Sequence, residues 1–237
     1  MNQASPVSSR NLLLAALSPA DLALLRPDLE PVSLELRRVL EAPNEPITHC
    51  YFIECGLASI VAGDLTRRRR LEVGLIGFEG MTGLAVVLGN NSSPNQNFIQ
   101  VAGEGLRIRA DKLRTTMRQS SSLQSAFLDF VYSFMNQTAN TALSNGTADI
   151  DERLARWLLM AHDRLEGDEI PLTHEFLSLM LGVRRAGVTI ALNHLESRAL
   201  IHLSRGRILV TDREGLKASA GDTYHELEKP VVRSEPH

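Results

Sequence analysis

The chain has 237 residues, of which 43% are hydrophobic and 22% charged, and this ordinary globular balance excludes wholesale disorder. A formal net charge of -3 argues against a surface that is basic throughout, but it leaves room for a local basic face. No apolar run is long enough to cross a bilayer, the N-terminus lacks a secretory-signal pattern, and two cysteines cannot form a disulfide framework. We therefore expect a cytoplasmic protein with no membrane partner.

Residues 1–120 are predicted to form a β-rich domain preceded by short helices. Ser18 and Pro19 have the N-cap and first-turn pattern of a helix start. From Val32 to Ile108, short apolar runs alternate with turn signals, and no long helix lies between them. This sequence pattern is typical of an antiparallel sandwich or barrel.

A long amphipathic helix is predicted over residues 121–146, with Asn145-Gly146 at its end. Large apolar side chains recur there at three- and four-residue steps, as one side of a helix requires. A single stripe of such side chains is typical of a packing interface between helices. We therefore predict a homodimer interface made by Leu123, Phe127, Val131 and Phe134.

Residues 147–220 carry the pattern of a helix-turn-helix. Thr173 is placed to cap a first helix, and Gly182 supplies the positive φ that the tight turn needs. Val188, Ala191 and Leu195 then give the buried stripe of a second helix. Residues 221–237 are predicted to be a C-terminal tail.

Two apolar-alternating runs joined by Arg205-Gly206 predict a β-hairpin directly after the second helix, and a hairpin in that position makes a winged helix. Between Val183 and Val210 there are five arginines and one acid, Glu196. This local positive charge on an acidic chain is the footprint expected of a protein that binds double-stranded DNA. The predicted DNA contacts are Thr173, Arg184, Arg185, Thr189, Asn193, Arg205 and Arg207.

A β-roll, a long helix and a winged helix-turn-helix, in this order over residues 10–220, resemble the cyclic-AMP receptor protein/Fnr (Crp/Fnr) superfamily of bacterial transcription regulators. The glycine-rich segment Gly77-Phe78-Glu79-Gly80-Met81-Thr82-Gly83 is similar to the family's turn after a roll strand. The resemblance implies an α+β fold with an antiparallel β-roll of the cyclic-nucleotide-binding, jelly-roll type, a dimerisation helix and a winged helix-turn-helix. It also implies a non-enzymatic homodimer on a roughly palindromic operator, with RNA polymerase as a further partner.

The effector sites of that family are not matched. Asn95 and Gln96 stand where members that bind cyclic nucleotides carry an arginine and a serine, and neutral amides do not replace a guanidinium on a phosphate. Cys50 and Cys55 are too few for a four-thiolate iron–sulfur cluster, and His49 is a lone histidine that offers a weak case for haem. We therefore expect no cyclic-AMP, iron–sulfur, haem or metal site and leave the effector unidentified. Arg107 and Arg109 are the alternative phosphate ligands.

The recognition helix also departs from the family pattern, because Ala186 and Ile190 replace a glutamate and an arginine that read bases in other members. Two other functions stay open. The chain could be a ligand-sensing protein whose helix-turn-helix serves protein interaction, or an enzyme with a cupin-like roll. The enzyme is disfavoured, since His49 is the only histidine between Pro43 and Leu106. The basic run Arg67–Arg70 is interpreted as a solvated hairpin tip.

Overall fold

The computed structural model describes residues 9–64 and 69–227 and has the predicted α+β architecture. Arg67 and Arg68 of the basic run Arg67–Arg70 lie outside the described residues. The strands are β1 Glu30–Leu34, β2 Val39–Glu41, β3 His49–Asp64, β4 Arg69–Ile76, β5 Gln96–Arg109, β6 Glu169–Ile170, β7 Ile201–Ser204 and β8 Arg207–Val210. The α-helices are α1 Leu12–Ala15, α2 Pro19–Leu25, α3 Leu84–Val87, α4 Ala110–Gln119, α5 Ser121–Thr147, α6 Ile150–His162, α7 His174–Leu181, α8 Arg185–Ser197 and α9 Arg213–Ala220.

The N-terminal domain is an antiparallel roll in the order β1-β5-β3-β4, with β2 also paired to β5. Two of its strands are long, β3 with 16 residues and β5 with 14, where the sequence suggested several short ones. The register between them shifts at Ile53/Cys55 and again at Cys55/Leu57. Because a bulge bends a strand without ending it, one strand serves two parts of the roll. At the bend Gly56 has a φ of 92°, and a Cβ there would lie 2.7 Å from the carbonyl oxygen of Val101.

Aromatic side chains from α5 enter the roll. Phe134 packs with Tyr51, Ile53 and Ile99 in the roll interior, and Phe130 packs against the same cluster. Two glycines make the room: a Cβ on Gly74 would lie 2.5 Å from the Phe134 ring, and one on Gly80 would lie 2.0 Å from the Phe130 ring. The roll interior is therefore closed by the long helix of its own chain.

This packing corrects the predicted dimer interface. The exposed fractions of Leu123, Phe127, Val131 and Phe134 are 0%, 0%, 3% and 9%, because all four are covered by the N-terminal domain of the same chain. Their apolar stripe is real, but it does not face a second chain. The helix also continues through Asn145-Gly146 and ends at Thr147, one residue beyond the predicted end.

The C-terminal domain begins at Asp149, the N-cap of α6. Its carboxylate accepts from the backbone N–H of Glu152, whose own carboxylate accepts from the N–H of Asp149, which is a capping box. Helix α6 is buried along most of its length, and α7, α8 and α9 pack around it. A small antiparallel sheet in the order β6-β8-β7 completes a winged helix.

The two domains are packed together by apolar and polar contacts. The rings of Phe98 in β5 and Phe176 in α7 have centroids 6.1 Å apart, and Leu75 of β4 belongs to the same buried cluster as the core of the C-terminal domain. Over the residues that the structure describes, no helix has both the length and the apolar character needed to cross a membrane.

Candidate nucleic-acid interface

The helix-turn-helix is built by the predicted local signals. Thr173 caps α7, and its side chain accepts from the N–H of Phe176 at 3.4 Å. Gly182 ends the helix with a φ of 64°, in the left-handed region that suits glycine. The hydroxyl of Ser178 donates to the carbonyl of Val183 at 2.6 Å and so ties α7 to the segment that begins α8.

Helix α8 divides into a buried and a solvent-facing side. Val188, Ala191, Leu192 and Leu195 are fully buried against the rest of the domain. The side chains that point away from this core belong to Arg185, Ala186, Ile190, Asn193 and Ser197, all of them exposed. An exposed side of this length, about three turns, is what a helix needs to enter a DNA major groove.

The predicted polar contacts occupy different places on this surface. Arg184 is the N-cap of α8 and Arg185 its first residue, so both guanidinium groups lie at the start of the helix. Asn193 is exposed two turns later. Thr189 is half-buried, and its hydroxyl donates to the carbonyl of Arg185 at 3.1 Å, so its oxygen already serves the helix backbone.

The wing carries the last two predicted contacts. Gly206 has a φ of 74° in the tight turn between β7 and β8, and Arg205 is exposed beside it. Arg207 is exposed as well, but its Nη1 lies 2.8 Å from the carboxylate of Glu169 in β6. Surface pairs of this kind contribute little free energy and are screened by salt, so Arg207 remains available to a phosphate.

A model of the Crp-like helix-turn-helix domain matches residues 152–219, which contain most of α6, the helix-turn-helix, the wing and most of α9. The chain carries a Crp-like helix-turn-helix domain. A search of the curated proteins gave no match to the sequence.

The chain has the Crp/Fnr fold over the residues that the structure describes. It is similar to FixK2 from Bradyrhizobium japonicum at 16% identity and a TM-score of 0.69, covering 79% of this chain and 95% of that one. It is also similar to CLP, the c-di-GMP-responsive global regulator of Xanthomonas campestris, at 16% identity and a TM-score of 0.66, covering 81% and 99%. A Crp-family transcriptional regulator from Thermus thermophilus has 17% identity and a TM-score of 0.66, with 84% and 99% covered. At these identities the likeness establishes the fold.

Within this Crp/Fnr fold, the alternative phosphate ligands are already paired. Arg107 binds the carboxylate of Glu30 through Nε at 2.9 Å and Nη2 at 2.8 Å, and Arg109 binds Asp111 with its Nε at 3.0 Å. The backbone N–H of Gly83, at the end of the glycine-rich turn, donates to the Glu41 carboxylate at 2.8 Å. The carboxylate of Glu41 therefore lies against the glycine-rich turn that resembles the one in the Crp/Fnr family.

The other effector candidates have the following surroundings. His49 lies on β3 with its Nδ1 3.0 Å from the hydroxyl of Thr48, and partial burial together with Arg107 lowers the pKa of its imidazole. Cys50 is buried, which raises the pKa of its thiol, and Cys55 is half-buried; both thiols are free. Within residues 9–64 and 69–227, no group of three or more histidine, cysteine or acidic side chains is arranged to hold a metal ion.

The structure also adds a residue that the sequence reasoning had set aside. Ile190 was noted only as a replacement for a base-reading arginine, yet its side chain is 55% exposed on the solvent-facing side of α8. The available signal was its spacing, since Ile190 falls outside the stripe made by Val188, Ala191 and Leu195.

Proposed function

We propose that this Crp/Fnr-type protein is a sequence-specific, DNA-binding transcription regulator that acts as a homodimer, with α8 as its recognition helix. The observation that carries the proposal is the local positive charge around the exposed side of α8 and the wing. Between Val183 and Val210 there are five arginines and one acid, on a chain of net charge -3. Charge of this sign and density, next to a helix with an exposed side, matches the phosphates and groove of duplex DNA.

The proposed contacts follow from where the side chains lie. Arg184 and Arg185, at the start of α8, are assigned to base edges and the adjoining phosphates, because the N-terminal residues of a recognition helix go deepest into the groove. Thr173 at the N-terminus of α7 and Arg205 on the wing are assigned to the DNA backbone. Phosphate contacts of this kind fix register and orientation, and the base contacts supply specificity.

Salt dependence tests the proposal against its alternative. A DNA-binding protein releases counterions on binding, so affinity for a random duplex should fall steeply as salt rises from about 50 to 200 mM, with a slope set by the number of phosphates neutralised. A helix-turn-helix that serves protein interaction would show no salt-sensitive duplex binding. The measurement is a fluorescence-anisotropy titration of a labelled duplex at four salt concentrations.

Arg185→Ala is expected to weaken binding to a specific site by about 1–3 kcal/mol and to relax preference at one base pair, because the guanidinium can form a bidentate contact with guanine. Arg205→Ala should instead lower affinity for specific and random duplexes alike and reduce the salt slope. Competition titrations of both variants on both duplexes separate the two roles. Equal losses for Arg185→Ala on the two duplexes would make it a phosphate contact.

The proposed dimer interface is the exposed side of α5. Leu128, Tyr132 and Met135 are 39%, 64% and 59% exposed, and Ala139 and Ala142 continue the same stripe. The steps between these five positions alternate between four and three residues, which is the a/d spacing of a coiled coil. This stripe replaces the four buried residues first predicted for the interface.

Tyr132→Glu is expected to convert the dimer to a monomer at micromolar concentration, since it places a charge in an apolar helix–helix contact. Ser133→Glu is the matched control: Ser133 is exposed one residue away, but it projects well off the stripe. Sedimentation velocity distinguishes the species. A wild-type monomer, or equal effects of the two substitutions, would contradict the proposed interface.

We further propose that the roll does not bind cyclic AMP. Phe130 and Phe134 occupy the roll interior, and the neutral Asn95 and Gln96 supply no charged partner for a phosphate. Calorimetry is expected to give no heat of binding with cyclic AMP or cyclic GMP at physiological concentrations. Micromolar affinity for either nucleotide would contradict this proposal.

A further inference from the structure

Ile190 is a large apolar side chain on the solvent-facing side of α8. It is 55% exposed in the second turn of α8, and the neighbouring exposed positions on that side are Arg185, Ala186 and Asn193. Ala186 lies one turn earlier and has no polar group, so the two side chains make a small apolar patch. This patch lies between a guanidinium group and a carboxamide group.

The fold of the chain itself does not account for this isoleucine. The core-facing stripe of α8 is complete without it, since Val188, Ala191, Leu192 and Leu195 are all fully buried. A single exposed hydrophobic residue is normal on a protein surface, so exposure alone carries no function. The informative feature is its position, at the centre of the helix side that the proposed function places in the major groove.

The major groove has one apolar group that such a side chain can recognise. Thymine presents its C5 methyl there, whereas the other bases present only hydrogen-bond donors and acceptors or a ring C–H. We propose, on the basis of the DNA-binding function above, that Ile190 packs on a thymine methyl group. Each half-site should then contain a required thymine next to the base pair read by Arg185.

The size of the effect follows from the burial of one methyl group. Removing a buried methyl weakens an apolar contact by about fourfold in affinity. A dimer makes the contact in both half-sites, so replacing both thymines should weaken binding about fifteenfold. Loss of a guanine read by Arg185 would be larger, which makes the two contacts distinguishable.

Thymine-to-uracil substitution tests the contact, because it removes the methyl and keeps the hydrogen-bonding groups. The duplex is a site selected by the protein from random DNA, with each thymine replaced by deoxyuridine in turn, symmetrically in both half-sites. The affinity of the wild-type protein should fall about fifteenfold at one position. Ile190→Ala should bind the thymine and uracil duplexes equally at that position, with other base preferences retained.

Two control variants complete the experiment. Ile190→Val keeps a branched apolar side chain and should retain part of the discrimination between thymine and uracil. Leu36→Ala removes a side chain of the roll that is equally exposed, at 56%. It should leave the discrimination between thymine and uracil unchanged. Because Ile190 lies on the surface, its substitution should not change the free energy of unfolding, which a urea titration checks.

Three results would overturn the inference. Wild-type binding that is insensitive to uracil at every position would show that no thymine methyl is read. A uracil effect that persists unchanged in Ile190→Ala would assign the methyl contact to another residue. Both results leave DNA binding intact, whereas failure to bind any duplex would overturn the proposed function and this inference with it.

Discussion

Arg164→Met is expected to lower the free energy of unfolding by about 3–5 kcal/mol, because it leaves a buried carboxylate without its partner. Arg164 lies just after α6, and its Nε is 2.7 Å from the Oε1 of Glu79 in the roll. The two side chains are 4% and 9% exposed. Since the pair joins the C-terminal domain to the roll, its loss should weaken the contact between the domains.

Each member of this ion pair has a further hydrogen-bond partner in the backbone. The Nη1 of Arg164 donates to the carbonyl of Met160 at 2.8 Å, and the second oxygen of Glu79 accepts from the N–H of Gly77 at 2.9 Å. Methionine keeps much of the apolar stem that packs on Gly77, where a Cβ would lie 2.7 Å from the Cβ of Arg164.

The double variant Glu79→Gln/Arg164→Met isolates the cost of the unpaired charge. It removes both charges and should recover much of the stability lost in Arg164→Met. Urea titrations of the wild type, both single variants and the double variant provide the four free energies of the cycle. A loss below about 1 kcal/mol in Arg164→Met would contradict the burial of this pair.

Glu72→Gln is expected to stabilise the protein at pH 8 by up to about 3 kcal/mol, from a pKa difference of about 2.5 units. Glu72 of β4 is buried between the domains; its carboxylate accepts from the hydroxyl of Ser59 and from the Nε1 of Trp157 at 2.5 Å. Burial raises the pKa of this carboxyl from 4.5 to about 7, against those two hydrogen bonds and the nearby arginines. Glutamine keeps the size and an acceptor for the indole.

The sign of the pH dependence follows from where the proton is held. Between pH 4.5 and about 7 the folded state keeps the Glu72 proton and the unfolded state loses it. The contribution of Glu72 to the free energy of unfolding therefore falls as pH rises through this window and levels off above it. Glu72→Gln should abolish this component, which urea titrations from pH 5 to pH 8 measure.

Trp157 is the only tryptophan in the chain, and its indole donates directly to Glu72, so its fluorescence should titrate with a midpoint near pH 7. The titration should vanish in Glu72→Gln. Glu41→Gln is the control, since Glu41 is another buried carboxyl with a raised pKa, but it lies against Gly83. A fluorescence titration that survives in Glu72→Gln would assign it to another group.

Local sequence signals predicted the elements of the C-terminal domain well. Caps depend on a few neighbouring residues, and both Thr173 and Gly182 have the roles expected of them. The wing turn at Arg205-Gly206 is equally local. These features could be predicted because the hydrogen bonds involved join residues only a few positions apart.

The four residues predicted for the dimer interface are buried within their own chain, and the sequence could not show this for a physical reason. Hydrophobic spacing shows which side of a helix is buried, but not whether the same chain or a second one covers it. Here the same chain covers it, because Gly74 leaves space for the ring of Phe134 and Gly80 leaves space for the ring of Phe130. That information lies in strands far from the helix in sequence.

The polar contacts between the domains were also beyond sequence reasoning. Glu79 and Arg164 are 85 residues apart, as are Glu72 and Trp157, and no local pattern pairs them. Ile190 is the opposite case, because its spacing was visible. Its significance required knowing that the core of α8 is complete without it.

Selection of duplexes from a random pool by the purified 237-residue chain tests whether a dimer places two copies of α8 in successive major grooves. We expect enrichment of an inverted repeat, with half-site centres about 10–11 base pairs apart and a guanine and a thymine in each half-site. Recovery of unenriched DNA after repeated rounds, or of no DNA at low salt, would contradict it.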